Sequence, residues 1–271
     1  MVLQESDFAS NIERFTGFAE LYDTHRPHPP SSLLDLLTQF AGVVTPNLVV
    51  DLGCGTGLSS RFWSSRARQV IGIEPTDDMR HRAELETVFQ NVSYRGGLSH
   101  QTGLPGNCAD IVTCSQSLHW MDPLATFREV ARVLRRGGVF AAYDCDWPPT
   151  TSSWEADAAY YRCMERIMEL EDLHAVSDGL RRWSKEEHLK RIEASGCFRF
   201  TREVVVHHVE EGNAERLIGL TRSQGNVAML LKKGLSEREL GMDKLKEVAN
   251  ETLGKTGKPW YFSSRVRLGI V

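Results

Sequence analysis

Short apolar runs alternate with amphipathic stretches through the first half of the chain. Leu48 to Val50, Val70 to Ile73, Val92 to Arg95, Asp110 to Cys114 and Val139 to Tyr143 are each of strand length. The most apolar of them suit strands covered on both faces of a sheet. Between them, Ser31 to Phe40 places Leu33, Leu34, Leu36, Leu37 and Phe40 at helical spacing, with Ser31 or Ser32 as N-cap. Further helices are predicted from about Ser59, from Asp77, and over Ala125 to Leu134. Asp77 and Asp78 are favourable in a first turn, and Arg135-Arg136-Gly137-Gly138 supplies a glycine stop. Strand and helix in this alternation predict an α/β chain with a doubly wound parallel sheet and right-handed crossovers.

Beyond Pro148 and Pro149 the pattern changes. Trp154 to about Leu173 carries Trp154, Ala158, Tyr161, Met164, Ile167 and Met168 on one side of a helix. Ser184 to Ala194 reads as another, with Ser184 as cap and Glu187 as its matching acid. Residues 198–210 and 260–271 read as the last of seven strands, and helical stretches at about 214–232 and 236–253 form an inserted lid. Ahead of the sheet, Phe8, Ile12, Phe15, Phe18 and Leu21 mark an amphipathic lead-in. Tyr22-Asp-Thr-His25-Arg26-Pro27-His28-Pro29-Pro30 follows, too rich in proline for a continuous helix. The organisation expected is one domain over 1–271, a core at about 31–145, and a helical cap drawn from about 1–30, 147–183 and 211–259.

The first strand breaks into Asp51-Leu-Gly53-Cys54-Gly55-Thr-Gly57-Leu58, with a helix to follow. A strand, a tight glycine turn and a helix N-terminus let a ligand press against bare backbone. About twenty residues on, the second strand ends in Glu74. An acid there is placed to accept from two ribose hydroxyls. Leu58 stands where the dinucleotide fingerprint GxGxxG wants its third glycine. An ordinary glycine-rich turn with no ligand is the plainer alternative.

Asp51-x-Gly53-x-Gly55-x-Gly57, with Glu74 downstream, resembles motif I and the ribose-binding acid of the class I S-adenosylmethionine (SAM) dependent methyltransferases. The resemblance implies a Rossmann-like, doubly wound, seven-stranded and mostly parallel sheet, with SAM as cofactor and S-adenosylhomocysteine as product. It implies cofactor contacts from Tyr22, Arg26, Asp51, Gly53, Cys54, Gly55, Gly57, Glu74, Pro75, Met79, Ser99, His100, Ser115 and Gln116. His100 stands where the family usually has an acid. After the fourth strand, Gln116-x-x-His119-Trp120 resembles the trans-aconitate methyltransferase-like (methyltransferase type 11) group of small-molecule enzymes. No (Asn/Asp/Ser)-Pro-Pro-aromatic motif occurs there, which argues against methylation of a nucleobase amine.

Methyl transfer needs alignment and exclusion of water more than it needs a metal. His207 and His208, adjacent on a strand, point to opposite faces, and no metal is expected. A carboxylate acceptor would need no base. For a hydroxyl or amine, His119 is the candidate catalytic base, and the plainer alternative is that His119 and Trp120 only pack the cleft. Asp144, Asp146 and Trp147 follow the fifth strand; the two acids would attract a cationic acceptor and repel a polycarboxylate. Arg222, with Gln224 and Asn226, is expected in the acceptor pocket from the lid.

Composition narrows the partners. Lys plus Arg number 32 against 36 Asp plus Glu, net −4, without a concentrated basic face, so nucleic acid is not expected. No run approaches the roughly 20 apolar residues that span a bilayer, and no signal peptide is read at the N-terminus. Six scattered cysteines without a CxxC pair suit a reducing, cytoplasmic setting. The expectation is methyl transfer to O or N of a small molecule, by a monomer or homodimer. An NAD(P)-dependent oxidoreductase and a non-catalytic SAM-binding module are the alternatives.

Overall fold

The computed structural model describes residues 9–14 and 24–271. Its elements begin with helices α1 (Ala9–Arg14) and α2 (Ser31–Ala41). Strands and helices then alternate: β1 (Leu48–Leu52), α3 (Leu58–Trp63), β2 (Gln69–Ile73), α4 (Asp77–Glu86), β3 (Val92–Arg95), β4 (Ala109–Ser115), α5 (Pro123–Val133) and β5 (Leu134–Cys145). The second half holds α6 (Trp154–Leu173), α7 (His188–Ala194), β6 (Phe200–Gly212), α8 (Ala214–Arg222), α9 (Gly225–Lys232), α10 (Met242–Thr252) and β7 (Lys258–Ile270).

The seven strands lie in the order β3-β2-β1-β4-β5-β7-β6. The first five strands of the chain are parallel, and β7 runs antiparallel to both β5 and β6. The order reverses at β1, with β2 on one side and β4 on the other, which opens a crevice beyond the strands' carboxyl ends. One face of the sheet packs Leu33, Leu37 and Trp63 over Val49 and Val139. The other packs Phe127 and Val130 over Leu52, Val112 and Phe140. A third cluster joins the cap helices through Tyr160, Ile167, Leu217, Val227 and Leu245 to Trp260 and Phe262 of β7.

β6 and β7 overrun the sheet. β5 pairs with β7 as far as Cys145 opposite Ser264, yet β6 and β7 stay paired on to Gly212 opposite Lys258. Those further residues, at about 3.3 Å each, carry a two-stranded ribbon roughly 20 Å past the rim where a ligand would sit.

Several boundaries differ from those expected. Neither Ser31 nor Ser32 caps α2; its N-cap is Pro30, without a side-chain bond. Asp122 caps α5 by accepting from Ala125 N at 2.9 Å. No glycine ends that helix, because Leu134 turns directly into β5 opposite Ala109. Gly137 (φ 77°) lies within β5, beside the stretch where the register against β4 shifts. Ser184 donates to Glu186 rather than capping α7, so that helix begins only at His188. The first lid stretch breaks between α8 and α9, where Arg26 takes the Ser223 carbonyl at 2.8 Å and Gln224 is extended. The second is an α-helix only from Met242, after Gly241 at φ 75°.

Candidate active site

β1 ends in the glycine turn because Gly53 and Gly55 hold φ of 63° and 56°, a region that disfavours side chains. The turn is pinned to the neighbouring strand, since Gly53 N and Cys54 N both donate to Ile73 O, at 2.8 and 3.2 Å. A Cβ on Gly53 would come within 2.6 Å of the Met121 methyl and 2.8 Å of Ser117 Cβ. At Gly55 a Cβ would meet nothing within 4 Å, because this residue borders a cavity. Gly57 has a different duty: it opens α3 and packs against the Tyr94 ring, away from the cavity.

Glu74 ends β2 facing that turn. Its Oε2 accepts from Gly55 N and its Oε1 from Thr76 N, each at 2.9 Å. Burial raises the pKa of this carboxyl, while the two backbone N–H groups pull it back down. Each carboxylate oxygen keeps a second lone pair, and Glu74 lies on the cavity wall. Asp51 does not. It is fully buried, accepts from Ser60 Oγ at 2.7 Å and Thr113 Oγ1 at 2.9 Å, and so ties β1 to α3 and β4. Burial pushes its carboxyl up to about 6 against those hydrogen bonds.

The cavity holds about 1360 Å³ of empty space, counted out into the solvent at its mouth. Cys54, Glu74, Pro75, Met79, Ser99 and His100 line one end. Arg26, His28, Gln116, Trp120, His208 and Ser264 line the other. Between them, Tyr143 Oη and Ser59 Oγ share a hydrogen bond of 2.5 Å, and burial raises the tyrosine pKa. Burial also raises the Cys54 thiol well above its usual range, so it stays protonated.

Residues 50–142 match the family described as Methyltransferase domain. The chain contains a class I SAM-dependent methyltransferase domain. Over 146 residues it is 29% identical to the Saccharomyces cerevisiae protein named "Probable S-adenosylmethionine-dependent methyltransferase CRG1", covering 52% of this chain and 50% of that one. The Bacillus subtilis protein "Uncharacterized methyltransferase YcgJ" is 29% identical over 139 residues, 50% of this chain and 55% of that one. The chain thus spans about half the length of the curated relatives it matches. Among solved structures, a proposed type II methyltransferase from Anaeromyxobacter dehalogenans shares the fold with a TM-score of 0.64 at 21% identity, over 90% of this chain and 97% of that one.

Of the residues expected at the site, Arg26, Gly53, Cys54, Gly55, Glu74, Pro75, Met79, Ser99, His100, Ser115, Gln116 and Trp120 all border the cavity. Tyr22 lies outside the described residues. His119 is 6% exposed and is not among the lining residues. Its Nδ1 is 3.9 Å from Asp144 Oδ1, too long for a hydrogen bond, and its backbone O accepts from Trp183 N. Asp144, Asp146, Trp147 and Arg222 stand off the cavity as well. Arg26 covers the Trp147 ring at 5.0 Å, Asp146 pairs with Arg265 at 3.1 Å, and Arg222 pairs with Glu237 at 2.6 Å. Asp144 is buried between Lys185 (2.8 Å) and Arg267 (3.0 Å). Both acids are therefore neutralised, and the expected attraction of a cationic acceptor is lost.

Sequence reading missed Lys185, Asn11, His28 and His208. Lys185 bridges Asp144 to Gln116, whose Oε1 it reaches at 3.1 Å. Gln116 holds φ 55°, an uncommon conformation for a side-chain-bearing residue, at the carboxyl end of β4. Asn11, on α1, fastens the cavity's upper wall: its Nδ2 donates to Trp120 O and Arg181 O, and its Oδ1 accepts from Arg181 N. The signal available for His208 was its spacing of two from Glu210 on a strand, which places both on one face.

His188 packs fully buried near the same ionic group, and neither of its ring nitrogens has a hydrogen-bond partner among the described residues. Burial pushes it down to about 4; Asp144 opposes the shift, and Arg267, Arg191 and Lys185 add to it. The unfolded chain protonates this histidine near 6.5, the fold only near 4. Stability from this group is thus complete above about pH 6.5 and declines as pH falls toward 4, by up to about 3 kcal/mol. Urea denaturation of wild type and His188→Leu near pH 7.5 and pH 4.5 should show a smaller acid loss in the variant. Equal losses would exclude His188 as its source.

Proposed function

We propose that the chain transfers a methyl group from SAM to an oxygen or nitrogen of a small neutral or anionic molecule. The observation that carries this is the Glu74–Gly55 cradle, with acceptor capacity to spare, opening into a cavity that Arg26, Gln116 and Trp120 also border. When bound, SAM supplies a methyl group already activated on a sulfonium. Glu74 would hold the ribose hydroxyls, Met79 and His100 would border the adenine, and the bare backbone at Gly53 and Gly55 would admit the amino-acid end. The chain's own contribution is alignment and exclusion of water. Apart from Glu74, no Asp or Glu lines the cavity among the described residues, whereas Arg26 and three histidines do. That charge balance favours a neutral or anionic acceptor over a cationic one. The six cysteines are all free and the net charge is −4, in keeping with a cytoplasmic enzyme, monomeric or homodimeric, acting on a soluble acceptor without a metal.

Leu58 lines the cavity where a dinucleotide site would want glycine, which disfavours the oxidoreductase alternative. SAM or S-adenosylhomocysteine at about a hundred times its Kd should stabilise the fold by about 2.7 kcal/mol. For a chain of this size that raises Tm by roughly 5–10 °C. NAD should leave Tm unchanged, and the reverse pattern in a thermal-shift assay would overturn the assignment.

A further inference from the structure

His208 borders the acceptor end of the cavity from the β6–β7 ribbon. Its ring stacks on Phe262, with centroids 5.2 Å apart. Its Nε2 lies 3.0 Å from Glu210 Oε1, whose carboxylate is held in turn by Arg216 and by His28 N at 2.9 Å. Burial would raise the Glu210 pKa, but the His208 and Arg216 hydrogen bonds and the Arg216 charge overcome it, leaving the carboxyl at about 2. An ionised carboxylate only accepts, so Nε2 carries a proton, and in the neutral ring Nδ1 is then the acceptor. It is buried and has no hydrogen-bond partner among the described residues. His208 borders the cavity, and a ligand that opens the wall at this ring meets an acceptor not yet satisfied.

We infer that His208, oriented by Glu210, accepts the proton of a neutral hydroxyl acceptor such as a phenol. The inference rests on the methyl-transfer reading. As the acceptor oxygen forms its bond to carbon, the carbon–sulfur bond of the sulfonium breaks and its electron pair stays on sulfur as a neutral thioether. The hydroxyl proton passes to Nδ1, and the resulting imidazolium keeps its Nε2–H on Glu210. Arg26, held by Ser223 and stacked over Trp147, also lines the cavity and supplies positive charge for the developing oxyanion. Glu210 acts through His208 and is a positioning residue. The base and the carboxylate that fixes its tautomer are parts that recur in unrelated acyl-transfer sites.

The test has three readouts on the full chain. Nitrogen-15 spectra of histidine-labelled protein should show His208 protonated on Nε2 and bare on Nδ1, and Glu210→Gln should disturb that tautomer. Calorimetry should give the same SAM affinity, within about threefold, for wild type and His208→Gln. Transfer of labelled methyl to 4-methylphenol at about pH 8 should fall at least about 100-fold in His208→Gln, the usual contribution of a general base. Transfer to 4-nitrophenol, largely ionised at that pH, should fall far less. A proton on Nδ1, equal losses on both phenols, or transfer to neither phenol by wild type with SAM bound would each overturn the role of His208. Failure of wild type to bind SAM would instead overturn the methyltransferase reading, and this proposal with it.

Discussion

Glu74→Gln is expected to weaken SAM binding by about two orders of magnitude while the protein stays folded. Both carboxylate oxygens already accept a backbone N–H, from Gly55 and from Thr76. A glutamine amide offers one oxygen and one NH2 group, so one of those N–H groups would face a donor. The same change removes acceptor capacity for a ribose hydroxyl. Hydrogen bonds to a charged group contribute about 1.5–3 kcal/mol each, and a hundredfold change in Kd is about 2.7 kcal/mol. Calorimetric titration with SAM and S-adenosylhomocysteine reads the loss, and circular dichroism confirms the fold. Affinity within threefold of wild type would remove Glu74 from the site and the cradle with it.

Asp144→Ala should act on stability instead. Arg267 is 3% exposed, and Lys185 reaches Asp144 from the opposite side. Removing the carboxylate leaves buried positive charge with only Glu203 (2.9 Å from Arg267 Nε) to balance it. Breaking a buried pair from one side costs about 3–5 kcal/mol, and the remaining Glu203 contact places the expected value near 3. That corresponds to a fall in Tm of about 6–12 °C. The SAM Kd of the fraction still folded should change little, since Asp144 does not touch the cavity. A variant that melts with wild type would show the buried network to be energetically idle.

The sheet was legible because burial on both faces writes itself as short apolar runs, and the glycine turn because a positive φ at Gly53 and Gly55 admits little else. The placing of Glu74 beside that turn followed, since it is fixed by its distance along one βαβ unit. His119 and Asp144 misled for a common reason. Both stand next to the carboxyl ends of strands, where ligands gather, but proximity along the chain does not say which way a side chain turns. Lys185 and Arg267, from far along the sequence, turn Asp144 inward. The other end was legible only in part: Arg26, Gln116 and Trp120 were read from their motifs, whereas His28, His208 and Ser264 join them from either side of the sheet's sequence. No local pattern records a meeting of residues so distant. The glycine stop after α5 failed by a similar override: pairing of Leu134 with Ala109 draws the chain into the sheet before the helix needs a cap.

The overhanging ribbon of β6 and β7 has an evolutionary corollary. The stretch shared with the methyltransferase family, residues 50–142, supplies the glycine turn, Glu74, Gln116 and Trp120 to the cavity, while His208 and Ser264 come from outside it. Substitutions along the ribbon could retune which molecule is modified without disturbing the machinery that holds the donor. A lineage could then keep the glycine turn and Glu74 while exploring the ribbon.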